Sequence, residues 1–324
     1  MCQSHLSPRS APATSGTYVT LFGMRFAGAP LPRIDGSVVV VEPPGRGPGF
    51  WAGAPSAVVV DDTYYLAYRL RRPVGQGRGY AVVLARSGTG VEFEPLTVLA
   101  KEEFGAESLE RPALVALPGG GWRLYVSCNT PGTLHWWVDA LDADDPGGFD
   151  ARRRRTVLPG DATVGVKDPV VMYQGDRWHM WACCHPLPEP SEADRMVSRY
   201  AVSRDGLRWT WRTIALAGRS GAWDQRGARI TSVITTPDGP VAYYDGRASA
   251  AENFEERTGL AVGDRSGAFR ADGDAPAVMS SEGGGGLRYL SVVPRTDGSH
   301  RLFYEASRAD GAHQLCTELI PAPG

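Results

Sequence analysis

Apolar and polar positions alternate along short stretches of this chain, and the stretches are separated by Gly, Asp and Pro. From Ala54 the sequence reads APSAVVVDDTYYLAYRL; from Arg111, RPALVALPGGGWRLYVSC; from Asp168, DPVVMYQGDRWHMWACC; from Ile230, ITSVITTPDGPVAYYDGR; and from Tyr289, YLSVVPRTDGSHRLFYEAS. A period of two over roughly four to eight positions predicts β-strands, and a short turn containing Gly or Asp joins each pair into a hairpin. Little of the chain carries the longer apolar period of a helix.

The hairpins are copies of one unit. The first three share a proline at the strand start, Pro55, Pro112 and Pro169, 57 residues apart each time. Each copy continues into further strand-like segments, such as GYAVVLARS and FEPLTVLA after the first, or SRYAVSRDG and WTWRTIALA after the third. Four strands in a repeat of about 40 to 60 residues is the pattern of a propeller blade. Two β-sandwiches would not require strands to recur as a block at equal spacing. The expected fold is therefore all-β, a five-bladed β-propeller with four-stranded blades, as a single domain over residues 1–324. Blades are expected to begin near 52, 110, 167, 228 and 288, with residues 1–16 flexible. The fifth copy ends near Pro321 without a clear fourth strand, so an N-terminal strand, at 18–26 or 37–41, is expected to complete the last sheet and close the ring.

Composition narrows the partners. Lys and Arg number 34 against 36 Asp and Glu, a net charge of −2, so no global field draws in nucleic acid or a membrane surface. No apolar run approaches the roughly 18 residues of a membrane span. The first twenty residues, MCQSHLSPRSAPATSGTYVT, lack the apolar centre of a secretory signal. A cytoplasmic protein is expected, without a nucleic-acid or membrane partner. The five cysteines include the adjacent Cys183 and Cys184, a poor disulfide framework, and are read as reduced thiols. Lys101 and Lys167 are the only lysines, so the compact ammonium beside Asp168 stands out from an arginine background.

In a blade whose strands run up and down, the start of the first strand, the end of the second and the start of the third share one face of the disc. First-strand starts bring Trp51, Glu110, Arg111, Lys167, Asp168, residues 226–229, Arg288 and Tyr289 to that rim. Second-strand ends bring residues 69–72, Cys128, Asn129, His185, 245–247 and 305–307. Third-strand starts bring residues 78–80, His135, Arg199, Tyr200, Glu256, Arg257 and His313. The opposite face receives ordinary Gly/Asp turns at 118–121, 174–176, 237–239 and 296–298. A charged Lys167-Asp168 pair directly before the apolar PVVMY run fits a central pocket on the charged rim, where function is expected. YYDGR and the following Asn253, Glu255, Glu256, Arg257 and Thr258 crowd one loop; they brace it, line the site, or do both.

Other motifs add less. His135, His185 and His313 lack ligand spacing with another His or Cys, so no metal is expected. Cys183 and Cys184 point to opposite sides of a strand and are read as inert. GRGPG around Arg46 and the glycines from Gly283 precede no helix, so neither is a phosphate loop and no cofactor is expected. Residues 152–155 read as a solvated basic edge. Trp51 and Tyr80 offer ring faces to sugar C–H groups, and the rim arginines point to a phosphate or carboxylate on the ligand.

An Asp-Pro hairpin running into the aromatic strand WHMW, within five repeated copies, resembles the five-bladed propeller glycosidases of the arabinanase, xylosidase and invertase type, and the related mannoside phosphorylases. The resemblance covers most of the chain as architecture and rests on few specific motifs. It implies three axial carboxylates: a base or nucleophile on the first blade, a supporting Asp in an Asp-Pro motif, and a general-acid Glu further on. Asp168 matches the Asp-Pro position. Ala54 stands before Pro55 where the first-blade Asp would be, and the fourth-blade start RGARITSV has no Glu, which marks a divergent member.

Glycoside hydrolysis needs one acid for the leaving oxygen and a second to attack or activate water. Glu110, Asp245 and Glu256 are the candidate partners of Asp168, with Lys167 or Arg247 tuning their ionisation. Candidate ligand contacts are Trp51, Arg69, Tyr80, Arg111, Lys167, His185, Arg247 and Arg257. The resemblance implies a glycoside hydrolase-like enzyme for a small carbohydrate-like ligand. Two alternatives remain open. An inverting phosphorylase needs only one protein acid, because phosphate is the nucleophile; a propeller without glycosidase activity would bind carbohydrate or serve another step of metabolite biosynthesis.

Overall fold

A computed structural model describes residues 29–264 and 266–322. The candidate strand at 18–26 lies outside the described residues, whereas the one at 37–41 appears as β1 (Val38–Val41). The chain then runs through successive antiparallel meanders. The first holds β2 (Trp51–Val60), β3 (Thr63–Arg71), β4 (Gly79–Ser87) and β5 (Glu94–Ala100). After the one-turn helix α1 (Lys101–Phe104) come β6 (Ser108–Ala116), β7 (Trp122–Asn129), β8 (Trp136–Ala143) and β9 (Arg155–Leu158). The next comprises β10 (Val164–Gln174), β11 (Arg177–Pro186), β12 (Met196–Ser203) and β13 (Thr210–Ala217). It is followed by β14 (Gly227–Thr236), β15 (Gly239–Arg247), β16 (Arg257–Gly263) and β17 (Phe269–Asp272). The last contains β18 (Leu287–Pro294), β19 (His300–Ser307) and β20 (His313–Ile320), and β1 adds antiparallel to β20.

Local chemistry sets the hairpins. Asp61 and Asp62 turn β2 into β3 with φ of 47° and 58°, and Gly175 and Asp176 turn β10 into β11 with φ of 58° and 59°. Two-residue loops with both φ positive match the twist of the flanking strands, and Asp and Gly tolerate that region best.

Each meander's first strand is interrupted at the same place. The register skips between Gly53 and Ser56, Leu109 and Pro112, Lys167 and Val170, Ile230 and Ser232, and Arg288 and Ser291. A β-bulge there re-aims side chains. Ala54, Asp168 and Tyr289 sit in these bulges at φ of 52°, 54° and 56°, a conformation costing a non-glycine residue about 1–3 kcal/mol. Serine hydroxyls stitch the bulged strands together: Ser56 Oγ accepts from Leu114 N at 2.9 Å, Ser127 Oγ from Asp168 N at 2.8 Å, Ser232 Oγ from Val292 N at 3.3 Å, and Ser291 Oγ from Ala57 N at 3.2 Å. β2 packs beside β6, β6 beside β10, β10 beside β14, β14 beside β18, and β18 beside β2.

The hydrophobic core is correspondingly divided into layers between meanders. Leu84, Leu109 and Leu124 fill one, Val138, Met180 and Trp178 the next, and Tyr200, Ile230 and Tyr244 another. Tyr243, Leu290 and Tyr304 continue the series, and Leu66, Phe303 and Leu315 join the last meander to the first. Cys128, Cys183, Cys184 and Cys316 are buried and free. Among the described residues no helix is long and apolar enough to cross a membrane.

Residues 30–34 are held against the layer of Tyr243, Leu290 and Tyr304. Glu318 accepts from Arg33 N at 2.8 Å, from Ile34 N at 2.9 Å and from the Tyr304 hydroxyl, while the Tyr243 hydroxyl donates to the Pro30 carbonyl at 2.9 Å. Glu318→Ala is expected to lower the unfolding free energy by about 1–3 kcal/mol, because the buried Tyr304 hydroxyl and two part-buried backbone donors lose a charged acceptor. Urea denaturation measures it; a loss below about 0.5 kcal/mol would show that this carboxylate does not hold the segment.

Candidate functional site

The starts of the bulged strands converge on a cavity of about 220 Å³. Arg69 and Arg71 reach it from the end of β3, Arg247 from the end of β15, Arg229 from β14 and Arg288 from β18. Arg78 and Lys167 complete a set of cations that outnumbers the lining carboxylates Glu110, Asp194 and Glu256. Trp51, Trp136, Phe254 and Tyr289 supply ring faces. Arg71 and Arg288 stack over Trp51 at 4.4 and 4.8 Å, Arg229 over Tyr289 at 3.9 Å, and the Lys167 ammonium over Trp136 at 4.6 Å. Such stacking stabilises cations that have left bulk water.

Through the lining and the carboxylates behind it, opposite charges alternate without a break. Glu110 accepts from Arg71 Nη1 at 2.6 Å and from Arg69, whose Nη2 donates to Glu305 Oε2 at 2.7 Å. Arg288 donates to Glu305 Oε1 at 2.7 Å and to Glu256 Oε2 at 2.7 Å, and Arg247 donates to Glu256 Oε1 at 2.5 Å. Arg229 donates to Asp245 Oδ2 at 2.7 Å and to Asp168 Oδ2 at 3.1 Å, and lies 3.8 Å from Glu256 Oε2. Lys167 Nζ closes the series 3.5 Å from Asp168 Oδ2. The four candidate acids, Asp168, Glu110, Asp245 and Glu256, thus belong to one buried network.

Their electrostatics differ. Burial opposes the charge on Glu110 and Glu256, but Arg69 and Arg71 outweigh it at the first, and Arg288, Arg229 and Arg247 at the second, so both are held below the ordinary range. Asp245 goes the other way: burial, only partly offset by Arg229 and reinforced by Glu256, pushes it up to about 6. Burial also pulls Arg71 down to about 10, Glu110 notwithstanding, with like charges on Arg69, Arg78 and Arg288 adding to the effect. Burial and Lys167 pull His185 down to about 3, leaving a neutral ring between Cys183 Sγ and the Ala193 carbonyl. Burial raises the thiols of Cys183 and Cys184, so neither is a ready nucleophile.

Asp168 is fully buried. Its Oδ2 accepts from the Tyr289 hydroxyl at 3.4 Å, and its Oδ1 has no hydrogen-bond partner. Asp168 does not itself line the cavity, whereas its neighbours Tyr289, Arg229 and Lys167 all do.

Among the expected ligand contacts, Trp51, Arg69, Lys167, His185 and Arg247 line the cavity. Tyr80, Arg111 and Arg257 do not. Tyr80 lies under the Arg72 guanidinium, 4.3 Å away. Arg257 braces its own loop by donating to Glu252 Oε1 at 2.9 Å and to the Gly284 carbonyl. Arg111 turns in its bulge to donate to the carbonyls of Pro55 and Thr231. His313 lies between Glu305 and Glu255, at 2.8 and 3.3 Å, stacked on Trp51. His135 donates to or accepts from Thr130, outside the lining. Arg71, Arg78, Arg229, Arg288, Tyr289 and Glu305 stand at rim positions but carry no motif that singles them out. Asp194 comes from the β11–β12 loop and had no sequence signal; Arg247 donates to both its carbonyl and its carboxylate, at 2.6 and 2.8 Å.

No protein-family model and no curated protein matches the sequence. Solved structures do match in fold. A β-1,2-mannobiose phosphorylase from Listeria innocua superposes with a TM-score of 0.63 at 14% identity, over 89% of this chain and 92% of that one. A β-fructofuranosidase from Bombyx mori gives 0.63 at 14% identity, over 87% and 61%. An α-L-arabinofuranosidase from Lactobacillus brevis gives 0.62 at 13% identity, over 82% and 90%. The chain has the propeller fold common to these glycoside hydrolases and mannoside phosphorylases, at a sequence distance that makes it divergent from all three.

Proposed function

We propose that the chain is a phosphorylase-like propeller enzyme acting on a small carbohydrate in the charged cavity, with inorganic phosphate as the nucleophile. The observation that carries this reading is the excess of lining cations over carboxylates that are already engaged. Glu110 is clamped by Arg69 and Arg71, Glu256 by Arg247 and Arg288, and Asp194 by Arg226 and Arg247. Carboxylates so paired make poor general acids or nucleophiles, whereas the remaining guanidinium donors suit a phosphate. The fold, shared equally with a mannobiose phosphorylase and a β-fructofuranosidase, supports carbohydrate as the ligand class in either case.

In this mechanism a phosphate oxygen attacks the anomeric carbon while the glycosidic C–O bond breaks. The proton brought by hydrogen phosphate passes to the leaving oxygen through the Tyr289 hydroxyl, which Asp168 holds in place as its acceptor. Arg71, Arg78 and Lys167 seat the phosphate; Trp51 and Phe254 face the sugar. The meanders act as five four-stranded blades of one domain, with β1 on β20 closing the ring, a reading supported by the cyclic packing of the bulged strands. A second reading, carbohydrate binding without turnover, draws on the full burial of Asp168 and the pairing of each lining carboxylate.

Incubation with aryl glycosides and disaccharides should release a sugar 1-phosphate only when phosphate is added. Asp168→Asn is expected to lower kcat by about 10²–10⁴-fold, and Arg71→Met to raise KM for phosphate at least tenfold, both in folded protein. Phosphate-independent release of free sugar would support a hydrolase instead, and binding of sugar phosphates without turnover would support the second reading.

Asp245 gives a pH test. Its folded pKa of about 6 lies above the unfolded value of about 3.9, so its contribution to stability is present below about pH 4 and is lost as pH rises through about 6. The stability of the wild type relative to Asp245→Asn should therefore fall between pH 4 and 6. Denaturant titrations at unit pH steps would contradict the assignment if that difference stayed flat or rose.

A further inference from the structure

The other end of the axis opens into a separate cavity of about 580 Å³. Its walls come from the bulged strands beyond their bulges, and Val58, Val170, Met172 and Val233 remain only half-buried there. These apolar groups pack against the neighbouring layers on one side and border an opening on the other.

Arg111 contributes to this cavity and not to the charged one. It is 3% exposed, and its hydrogen bonds go only to backbone: Nε and Nη2 to the Pro55 carbonyl at 3.3 Å, and Nη2 to the Thr231 carbonyl at 2.5 Å. Its Nη1 has no partner. The contrast with the charged site is direct, because Arg69, Arg71, Arg229, Arg247 and Arg288 each bind a carboxylate there. A buried guanidinium without a bonded anion is electrostatically incomplete. Burial pulls Arg111 down to about 10, with Asp168 offsetting part of the fall, so it remains cationic at neutral pH. Ser56, Ser232 and Ser291 line the same cavity, and each hydroxyl already accepts a backbone N–H, which leaves its own hydrogen to donate.

We propose that this cavity is a second ligand site, selective for a small carboxylate bearing an apolar tail. The carboxylate sits against Arg111 and the serine hydroxyls, and the tail lies along the valine and methionine walls. One guanidinium matches one carboxylate in charge and in planar geometry. A phosphate dianion would bring a second charge into apolar walls that cannot neutralise it.

Calorimetric titration of the full chain with butanoate, hexanoate and octanoate tests the site, with octan-1-ol and octylamine as neutral and cationic controls. Octanoate should bind saturably at one site, tightening about fourfold for each added methylene, with octan-1-ol at least tenfold weaker and octylamine not bound. Saturating inorganic phosphate should leave octanoate affinity unchanged. Arg111→Met should abolish the preference for octanoate over octan-1-ol. Should that variant fail to fold, Val233→Phe, which keeps the cation and narrows the cavity, should weaken octanoate at least fivefold. Equal binding of acid and alcohol, no saturable binding, displacement by phosphate, or octanoate affinity untouched in a folded variant would each overturn the proposal.

Discussion

The structure depends on matched charge held away from bulk water. From Lys167 through Asp168, Arg229, Asp245, Glu256, Arg288, Glu305 and Arg69 to Glu110, each buried group faces an opposite one. Removing one member of such a pair characteristically costs 3–5 kcal/mol, since its partner is left charged in low dielectric. The chain links residues from every meander: Arg69 from the first, Glu110 from the second, Asp168 from the third, Asp245 from the fourth and Glu305 from the last. The charges therefore set the positions of whole sheets relative to one another. Apolar layers drive those sheets together, whereas the network admits few arrangements of them.

The bulges make that network reachable. A regular strand would send alternate side chains into the layers on either side, and none would run along the axis. Skipping one register position releases Asp168 and Tyr289 from that alternation, with positive φ as the accompanying strain. The serine hydroxyls that bridge neighbouring strands take up the backbone donors which this irregularity would leave unpaired.

This explains what was legible in the sequence. Hairpins, their copies and the charged rim follow from period-two patterning, turn residues and the position of Asp168 before Pro169, and the four candidate acids meet as their strand positions suggest. Direction at a bulge does not follow. Arg111 and Asp168 occupy equivalent places, 57 residues apart, yet one bonds backbone carbonyls and the other bonds Arg229. Tyr80 and Arg257 stand at rim positions but are taken by nearer partners, Arg72 and Glu252. Asp194 enters from a loop whose path has no periodicity to read. The pairing of arginines with carboxylates from different meanders is likewise invisible one strand at a time, although it decides which acids keep a free oxygen.

The union of β1 with β20 has a consequence for how the molecule is made. Val38 lies opposite Thr317, so the 278 residues between them must be synthesised before this strand can find its neighbour. Local hairpins have no such wait, and contacts of large sequence separation form late because the intervening chain must first be ordered. During translation the early sheets can assemble layer by layer while Arg69 and Glu110 are still hydrated, and Glu305 arrives only with the final meander. Desolvation of the axial charges is thereby deferred until their partners exist, and the nascent chain avoids holding an isolated charge in a dry interior.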